Sequence, residues 1–148
     1  MSRPIRLAVR AVIVHETRLL LVNAYGGRKD LWCAPGGGAN AHASLPDNLA
    51  REIREETGLT VTVGPPCLLN EFHDPDRDFH QVEVFFRCTV ADGKLPQGWQ
   101  DPEGVVSHRR WVTRDEMAAL QVRPKSLAAV AWRDAEAPAY DPLERIIP

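Results

Sequence analysis

The sequence predicts an α/β protein in which a mixed β-sheet is packed between helices. Apolar residues alternate with other residues over positions 5–14, which is the periodicity of a β-strand. A helical pattern follows at 44–58, and further strand-like segments alternate with short helical ones. This alternation favours a sheet covered on both faces, and 148 residues suit a single domain spanning 1–148.

The bulk composition excludes several classes of function. The chain is 44% hydrophobic and 26% charged with a formal net charge of −2, so no overall positive charge attracts nucleic acid or acidic membranes. No apolar run is long enough to span a membrane, and the N-terminus lacks a signal-peptide pattern. The three cysteines are odd in number and form no closely spaced metal-binding pair. We therefore expect reduced thiols in a cytoplasmic protein that binds neither nucleic acid nor membranes.

The N-terminal part of the chain is predicted to form a hairpin and one short strand. Residues 5–14 should pair with a returning strand at 18–24, because positions 15–17 provide a polar turn. A short strand at 31–33 leads to three glycines at 36–38, which we expect to form a loop. Glycine allows a positive φ and lets the backbone approach a ligand closely.

The helix at 44–58 has clear start and stop signals. Ser44 is a favourable N-cap, and Gly58 is a favourable residue just past the C-terminus. The helix carries an apolar stripe that should pack on the sheet, formed by Leu45, Leu49 and Ile53. Three carboxylates lie beside that stripe, and around the helix axis each points within roughly 60° of the Glu52 side chain. They belong to Glu52, Glu55 and Glu56.

The remaining chain is predicted to continue the alternation of strands and helices. Strands are expected at 59–69, 81–90 and 107–112, with a polar loop at 73–78 and a turn-rich connection at 91–104. Two short helices should follow before a proline-containing tail. The first is expected at 114–120, after a capping box of Thr113 and Glu116, and the second at 125–135.

The three glutamates of the helix point to a metal site. Carboxylates crowded into about one helical turn repel each other unless a cation lies among them. Magnesium prefers such oxygen ligands and combines them with substrate phosphates. Arg51 stands four residues before Glu55 and is placed to pair with it. By itself, however, a helix of interleaved glutamate and arginine is more often a solvated surface.

The joint pattern is more specific, because it resembles the Nudix box of the Nudix hydrolases. That signature reads G-x5-E-x7-R-E-U-x-E-E-x-G-U, where U is aliphatic, and here it covers residues 37–59. The matching residues are Gly37, Arg51, Glu52, Ile53, Glu55, Glu56, Gly58 and Leu59. The flanking segments at 32–37 and 110–117 are similar as well. The resemblance implies a Nudix-type α/β/α sandwich.

It also implies an activity and a set of site residues. The expected reaction is hydrolysis of a pyrophosphate linkage in a nucleotide substrate, with water attacking phosphorus and Mg²⁺, or Mn²⁺, as cofactor. Glu52, Glu55 and Glu56 become the expected metal ligands, together with the carbonyl of Gly37. Arg51 is expected to orient a glutamate within the site.

The general base is less well defined by the sequence. Glu52 itself could be the base, or could orient a water bound to another base. In some family members a glutamate on a later loop is the base or an extra metal ligand, and Glu103 stands at the most similar place. Glu83, on an alternating strand, is the competing candidate, and either glutamate could instead face solvent.

One position departs from the signature. The first glutamate of the box is replaced by Ala43, which removes one negative charge and one potential contact with metal or water. We expect weaker metal affinity or a lower rate, not loss of catalysis. The departure keeps a second class open, namely a catalytically weakened Nudix domain that binds a nucleotide for regulation.

Substrate contacts are predicted only broadly. Arg10 and Arg28 could reach phosphates, because arginine offers a bidentate donor pair, or could be ordinary surface charges. Pro75 lies sixteen residues beyond Leu59, where a proline resembles the ADP-ribose-cleaving subgroup, although a turn proline is common. Nucleotide sugars, dinucleoside polyphosphates and nucleoside triphosphates also stay open as substrates. So does the oligomeric state, with a homodimer as one option.

Overall fold

The computed structural model describes residues 2–146 as eight strands, three α-helices and one 3-10 turn. The strands are β1 Arg6–His15, β2 Arg18–Asn23, β3 Trp32–Cys33, β4 Gly36–Gly38, β5 Thr62–Asp74, β6 Phe79–Thr89, β7 Arg109–Val112 and β8 Ala139–Arg145. The helices are α1 Leu45–Thr57, α2 Arg114–Ala118 and α3 Leu127–Ala131, and the 3-10 turn is Pro75–Arg77. Within this range, every helix is too short or too polar to cross a membrane.

Strand β1 organises a sheet whose order is β3-β2-β1-β6-β5-β8. The sheet is mixed, as the sequence predicted. It runs parallel to β6 and antiparallel to β4, and forms a hairpin with β2. Strand β5 lies antiparallel to β6 and parallel to β8, while β7 pairs with β2. The arrangement places the glycines of β4 directly beside the central strand.

Helix α1 begins and ends at the residues that the sequence indicated. The Ser44 hydroxyl accepts a hydrogen bond from the backbone N–H of Asp47 at 3.1 Å, which satisfies one free donor of the first turn. Gly58 ends the helix at φ 77°, a left-handed conformation that favours glycine. Leu49 and Ile53 are fully buried against the sheet. The glutamates beside them are therefore held at the junction of helix and sheet.

The core lies on both faces of β1, because neighbouring residues of the strand point to opposite sides. One cluster joins Ala11 and Ile13 to the buried side chains of α1. The other joins Val12 to Phe85 of β6 and Leu127 of α3. The sheet is thus covered by α1 on one face and by α3 on the other.

Several segments differ from the sequence prediction. The expected loop at 36–38 is strand β4, because three glycines lie flat against β1 in antiparallel register. The tail, for which no element was predicted, contains strand β8, which pairs with β5. Its short, proline-containing pattern gives little periodicity, so its strand conformation depends on that partner. In addition, the predicted helix at 125–135 is shorter, ending at Ala131.

Candidate metal centre and active site

Three carboxylates converge at one end of the sheet. Helix α1 presents Glu52 and Glu55, and the loop between β6 and β7 brings Glu103 to the same point. One oxygen of each carboxylate lies within 4.8 Å of the other two. Glu52 is buried, Glu55 is half-buried and Glu103 is exposed. The group therefore reaches from the core to the solvent.

Asp101 fixes the loop that carries Glu103. One oxygen of its buried carboxylate accepts the backbone N–H of Glu103 at 3.0 Å. The other accepts the N–H groups of Val105 at 3.2 Å and Val106 at 2.9 Å. The sequence analysis missed Asp101, although an aspartate followed by proline and a nearby glycine is typical of a turn held by its side chain.

Arg51 orients the carboxylates of α1. Its Nη1 donates to Glu52 Oε1 at 3.1 Å and to Glu55 Oε2 at 3.4 Å, so the expected Arg51–Glu55 pair is present. Its Nη2 donates to Asn48 Oδ1 at 3.0 Å. The guanidinium thus links two acidic side chains to a buried amide.

Asn48 connects the helix to the loop that precedes it. Its Oδ1 accepts the backbone N–H of Asn40 at 2.8 Å, and its Nδ2 donates to the carbonyls of Asn40 and Ala43. The sequence analysis did not single out this residue, because an asparagine inside a helix gives no periodic signal. Ala43 is itself exposed, and the acidic cleft is lined by Asn40 but not by Ala43.

Glu56 lies deeper than the three converging carboxylates. It is buried and lines the same cleft, and its Oε2 accepts the backbone N–H of Gly36 at 3.1 Å. Burial raises its pKa to about 8, and neighbouring Arg10 opposes that shift. Burial also raises the pKa of Glu52, against the opposing effect of Arg51. In both cases burial is the largest cause, because it disfavours the charged form of a carboxyl group.

The backbone of β4 lies tightly against this acidic group. A Cβ atom at Gly37 would stand 2.5 Å from Glu52 Oε2, so a larger residue would displace that carboxylate. The cleft that Gly37 and Glu52 share has a volume of about 420 Å³. A donor set of carboxylate oxygens fits a hard divalent cation such as Mg²⁺. A cation there would favour the charged forms of Glu52 and Glu56.

The two predicted phosphate-binding arginines lie in different surroundings. Arg10 lines the cleft, but its Nε donates to Glu83 Oε2 at 2.6 Å and its Nη1 to the Ala34 carbonyl at 3.1 Å. Arg28 is exposed, pairs with Asp30 and stacks over the Tyr25 ring. The structure therefore brings Arg10, but not Arg28, together with the acidic residues of the cleft.

Glu83 does not face solvent, contrary to one of the two interpretations from sequence. It is buried, and besides Arg10 its carboxylate accepts hydrogen bonds from Asn70 Nδ2 at 2.9 Å and Gln81 Nε2 at 3.1 Å. The alternating pattern of β6 was correct, but the second face of that strand is also covered. Glu83 is thus held in a buried network, whereas Glu103 is exposed beside Glu52.

The profile of the NUDIX domain matches residues 4–133 of this chain. Because this match covers most of the 148 residues, the chain belongs to the Nudix family. The solved structure of a NUDIX hydrolase from Nitrosomonas europaea superposes with a TM-score of 0.73 at 18% identity, covering 91% of this chain and 93% of that protein. The predicted Nudix-type α/β/α sandwich is confirmed.

Two curated relatives share part of the sequence. An ADP-ribose pyrophosphatase of Methanocaldococcus jannaschii is 32% identical over 95 residues, which cover 62% of this chain and 55% of the relative. Diphosphoinositol polyphosphate phosphohydrolase 2 of Rattus norvegicus is 31% identical over 107 residues, covering 72% and 56%. The chain spans about half the length of the curated relatives it matches.

Proposed function

We propose that this protein hydrolyses a pyrophosphate linkage in a nucleoside diphosphate derivative or a nucleoside triphosphate, with a divalent cation as cofactor. The observation that carries the proposal is the convergence of Glu52, Glu55 and Glu103, whose carboxylate oxygens lie within 4.8 Å of one another. Oxygen ligands at this spacing suit Mg²⁺, and Mn²⁺ accepts the same donors. The proposal places the whole activity in a single domain.

The proposed metal ligands are the three glutamates of α1 and the carbonyl of Gly37. Glu52 and Glu55 are already aligned by Arg51, and Glu56 is held at the inner edge of the cleft by Gly36 N–H. When bound, the cation offsets phosphate charge and makes the attacking water more acidic. The proposed role of Arg51, which also lines the cleft, is to keep the two acidic side chains in place.

Glu103 is the proposed general base, with Glu52 as the alternative. A general base must lie within hydrogen-bond reach of the water that it deprotonates, and an exposed carboxylate at the mouth of the cleft meets this need. Asp101 limits the movement of the loop by accepting the Glu103 N–H. The same position also allows Glu103 to contribute an additional metal ligand.

Arg10, which lines the cleft, is the first proposed contact for the negatively charged phosphates of the substrate. Its pairing with Glu83 fixes the guanidinium and leaves other N–H groups to donate. Arg28 is a proposed second contact, and it would have to exchange its surface partner Asp30 for a phosphate. An ADP-ribose-type substrate is supported by the activity named for the relative from M. jannaschii and by Pro75, which begins the 3-10 turn after β5.

The test is a hydrolysis panel with ADP-ribose, dinucleoside polyphosphates, nucleotide sugars and nucleoside triphosphates, each with Mg²⁺ and then Mn²⁺. We expect turnover of at least one substrate that stops when the cation is removed. The Glu56→Gln variant serves as the control for contaminating activity, since it removes a buried proposed ligand. Tight nucleotide binding without turnover of any substrate would support the regulatory class instead.

Ala43 is the residue that distinguishes full from weakened activity. We expect Ala43→Glu to lower the cation concentration for half-maximal rate by about 2- to 5-fold, the size of an exposed charge interaction. Ala43→Gln, which adds similar volume without charge, should leave that concentration unchanged. Unchanged cation dependence and turnover in Ala43→Glu would show that the missing glutamate has no role in this chain.

Two further properties belong to the proposal. A cytoplasmic location is supported by Cys33, Cys67 and Cys88, which are all free thiols. A homodimer is supported by exposed apolar side chains, among them Leu7 and Tyr140. Sedimentation at several concentrations would test the dimer, and a single monomeric species throughout would exclude it.

A further inference from the structure

A second cavity lies directly beside the acidic cleft. Its volume is about 120 Å³, and it shares Arg10, Ala24 and Cys33 with the cleft. That volume is roughly ten times the ~10–15 Å³ that one water molecule requires. The cavity is therefore large enough for part of an organic ligand whose remainder lies in the cleft.

The walls of this cavity are largely apolar and aromatic. Tyr25, Leu31 and Phe72 line it, and they lie on β5 and on the segment between β2 and β3. Flat apolar walls suit a heterocyclic ring, which stacks on aromatic faces.

One polar group in the lining lacks a partner. Asn70 is buried at 3% exposure, and its Oδ1 has no hydrogen-bond partner in the described part of the chain. Its Nδ2 donates to Glu83 Oε1 at 2.9 Å, and Glu83 is fixed in turn by Arg10. An ionised carboxylate can only accept hydrogen bonds, so a 180° flip of the Asn70 side-chain amide would lose this bond. Asn70 therefore offers an acceptor that requires a donor from a ligand.

A donor also lines the cavity. The half-buried guanidinium of Arg123 donates to the Val122 carbonyl at 2.9 Å, which uses one of its five N–H groups. An acceptor and a donor on one cavity complement a ring that carries an amino group and an acceptor nitrogen. Adenine and cytosine present such groups, with the amino group as the donor.

We propose that this cavity binds the amino-bearing heterocyclic base of the nucleotide substrate, and that Asn70 Oδ1 selects it by accepting a hydrogen bond from the exocyclic amino group. This inference rests on the proposed function, since it assigns the other end of the same substrate. The pyrophosphate lies in the acidic cleft and the base in the neighbouring cavity. Arg10, which lines both, stands between them.

Calorimetric titration of the full chain in EDTA tests the assignment without requiring turnover. The two ligands are AMP and purine riboside 5′-monophosphate, in which hydrogen replaces the amino group. We expect AMP to bind on the order of 10- to 100-fold more tightly, because the analogue leaves Asn70 Oδ1 unsatisfied. In Asn70→Leu the ratio should fall to about 1.

Gln81→Leu is the matched control. Gln81 is a buried amide that also donates to Glu83, but it does not line the cavity. Its replacement should weaken the network around Glu83 and leave the preference for AMP in place. Loss of the preference in both variants would mean that Asn70 acts only through Glu83, which would overturn the assignment.

Other outcomes separate this inference from the proposed function. Failure of wild-type protein to bind AMP, or equal affinity for both ligands, overturns the inference even if pyrophosphate hydrolysis is observed. The inference is also overturned if the tighter binding of AMP disappears when the ribose 2′-hydroxyl is removed, which is measured with 2′-deoxy-AMP. A clear AMP preference without hydrolysis of any substrate overturns the proposed activity and leaves the base site standing. The wild-type comparison decides the question even if Asn70→Leu does not fold.

Discussion

The carboxylate of Asp101 accepts a hydrogen bond from the backbone N–H of Glu103 at 3.0 Å. With its other oxygen it accepts two more N–H groups of the same loop, from Val105 and Val106. A single buried side chain therefore sets the position at which Glu103 meets the two glutamates of α1. The catalytic proposal depends on this loop as much as on the helix.

Asp101→Asn should lower both stability and activity. The amide replaces one acceptor oxygen with a donor, so at least one loop N–H loses its partner at a cost of about 1–3 kcal/mol. We expect kcat/KM to fall as well, because Glu103 is no longer held. Urea denaturation and initial rates measure the two effects.

Asp92→Asn is the control for this change. Asp92 also accepts a backbone N–H two residues on, from Lys94 at 2.9 Å, but on an exposed turn outside the cleft. Its replacement should change the free energy of unfolding by less than about 0.5 kcal/mol and leave kcat/KM unchanged. If Asp101→Asn loses stability while keeping full kcat/KM, the loop does not position a catalytic group.

Gly37→Ala should weaken metal binding. The added Cβ would stand 2.5 Å from Glu52 Oε2, so this carboxylate must move away from its place in the acidic group. Displacement of a ligand by a neighbouring residue typically costs about 10- to 100-fold in metal affinity. Calorimetric titration with Mn²⁺ gives the change directly.

Gly26→Ala provides the comparison, because a Cβ there would meet only ordinary contacts of 3.6 Å or more. This variant should bind Mn²⁺ as wild type does. Equal affinities for Mn²⁺ in Gly37→Ala and wild type would contradict the close relationship between β4 and the proposed ligand Glu52.

Glu103→Gln should lower the catalytic rate, whereas Glu83→Gln should lower the stability of the fold. Glu103 is exposed, so its replacement should leave the free energy of unfolding unchanged and lower kcat by about 10²- to 10⁴-fold if it is the base. Glu83 is buried with Arg10, and breaking such a pair costs about 3–5 kcal/mol of stability. If a high metal concentration restores the full rate of Glu103→Gln, then Glu103 is a metal ligand and not the general base.

Because the Cys88 thiol is buried, we expect the free energy of unfolding to decrease at alkaline pH. Burial raises the pKa of Cys88 to about 12 from an ordinary value of 9.0. Because the folded-state pKa is the higher one, the neutral thiol contributes stability that is complete below pH 9 and lost as pH rises toward 12. Cys88 should therefore resist a maleimide reagent at pH 8 in the native protein and react rapidly in denaturant. Rapid native-state labelling of Cys88, located by mass spectrometry, would contradict this burial.

The sequence was sufficient for the features that depend on local spacing. Capping at Ser44, the glycine stop at Gly58 and the apolar stripe determine where α1 begins, ends and packs. The same spacing brings Glu52 and Glu55 to one side. These features were predictable because a helix converts sequence separation directly into direction.

Features that depend on distant partners were not predictable. Strand β8 forms against β5, and the orientation of Asn70 follows from Glu83 and Arg10 on two other strands. Glu103 was a candidate from resemblance, but its approach to α1 depends on the side chain of Asp101. Such contacts join residues far apart in the chain, so a local sequence pattern does not predict them.

The most direct measurement of the central claim is a Mn²⁺ titration followed by electron paramagnetic resonance on wild-type protein and Glu52→Gln. The account predicts that wild type binds Mn²⁺ and that the variant has a dissociation constant at least ~10-fold higher. If wild type binds no Mn²⁺, or if both proteins bind it with the same affinity, then the converging carboxylates are not a metal centre.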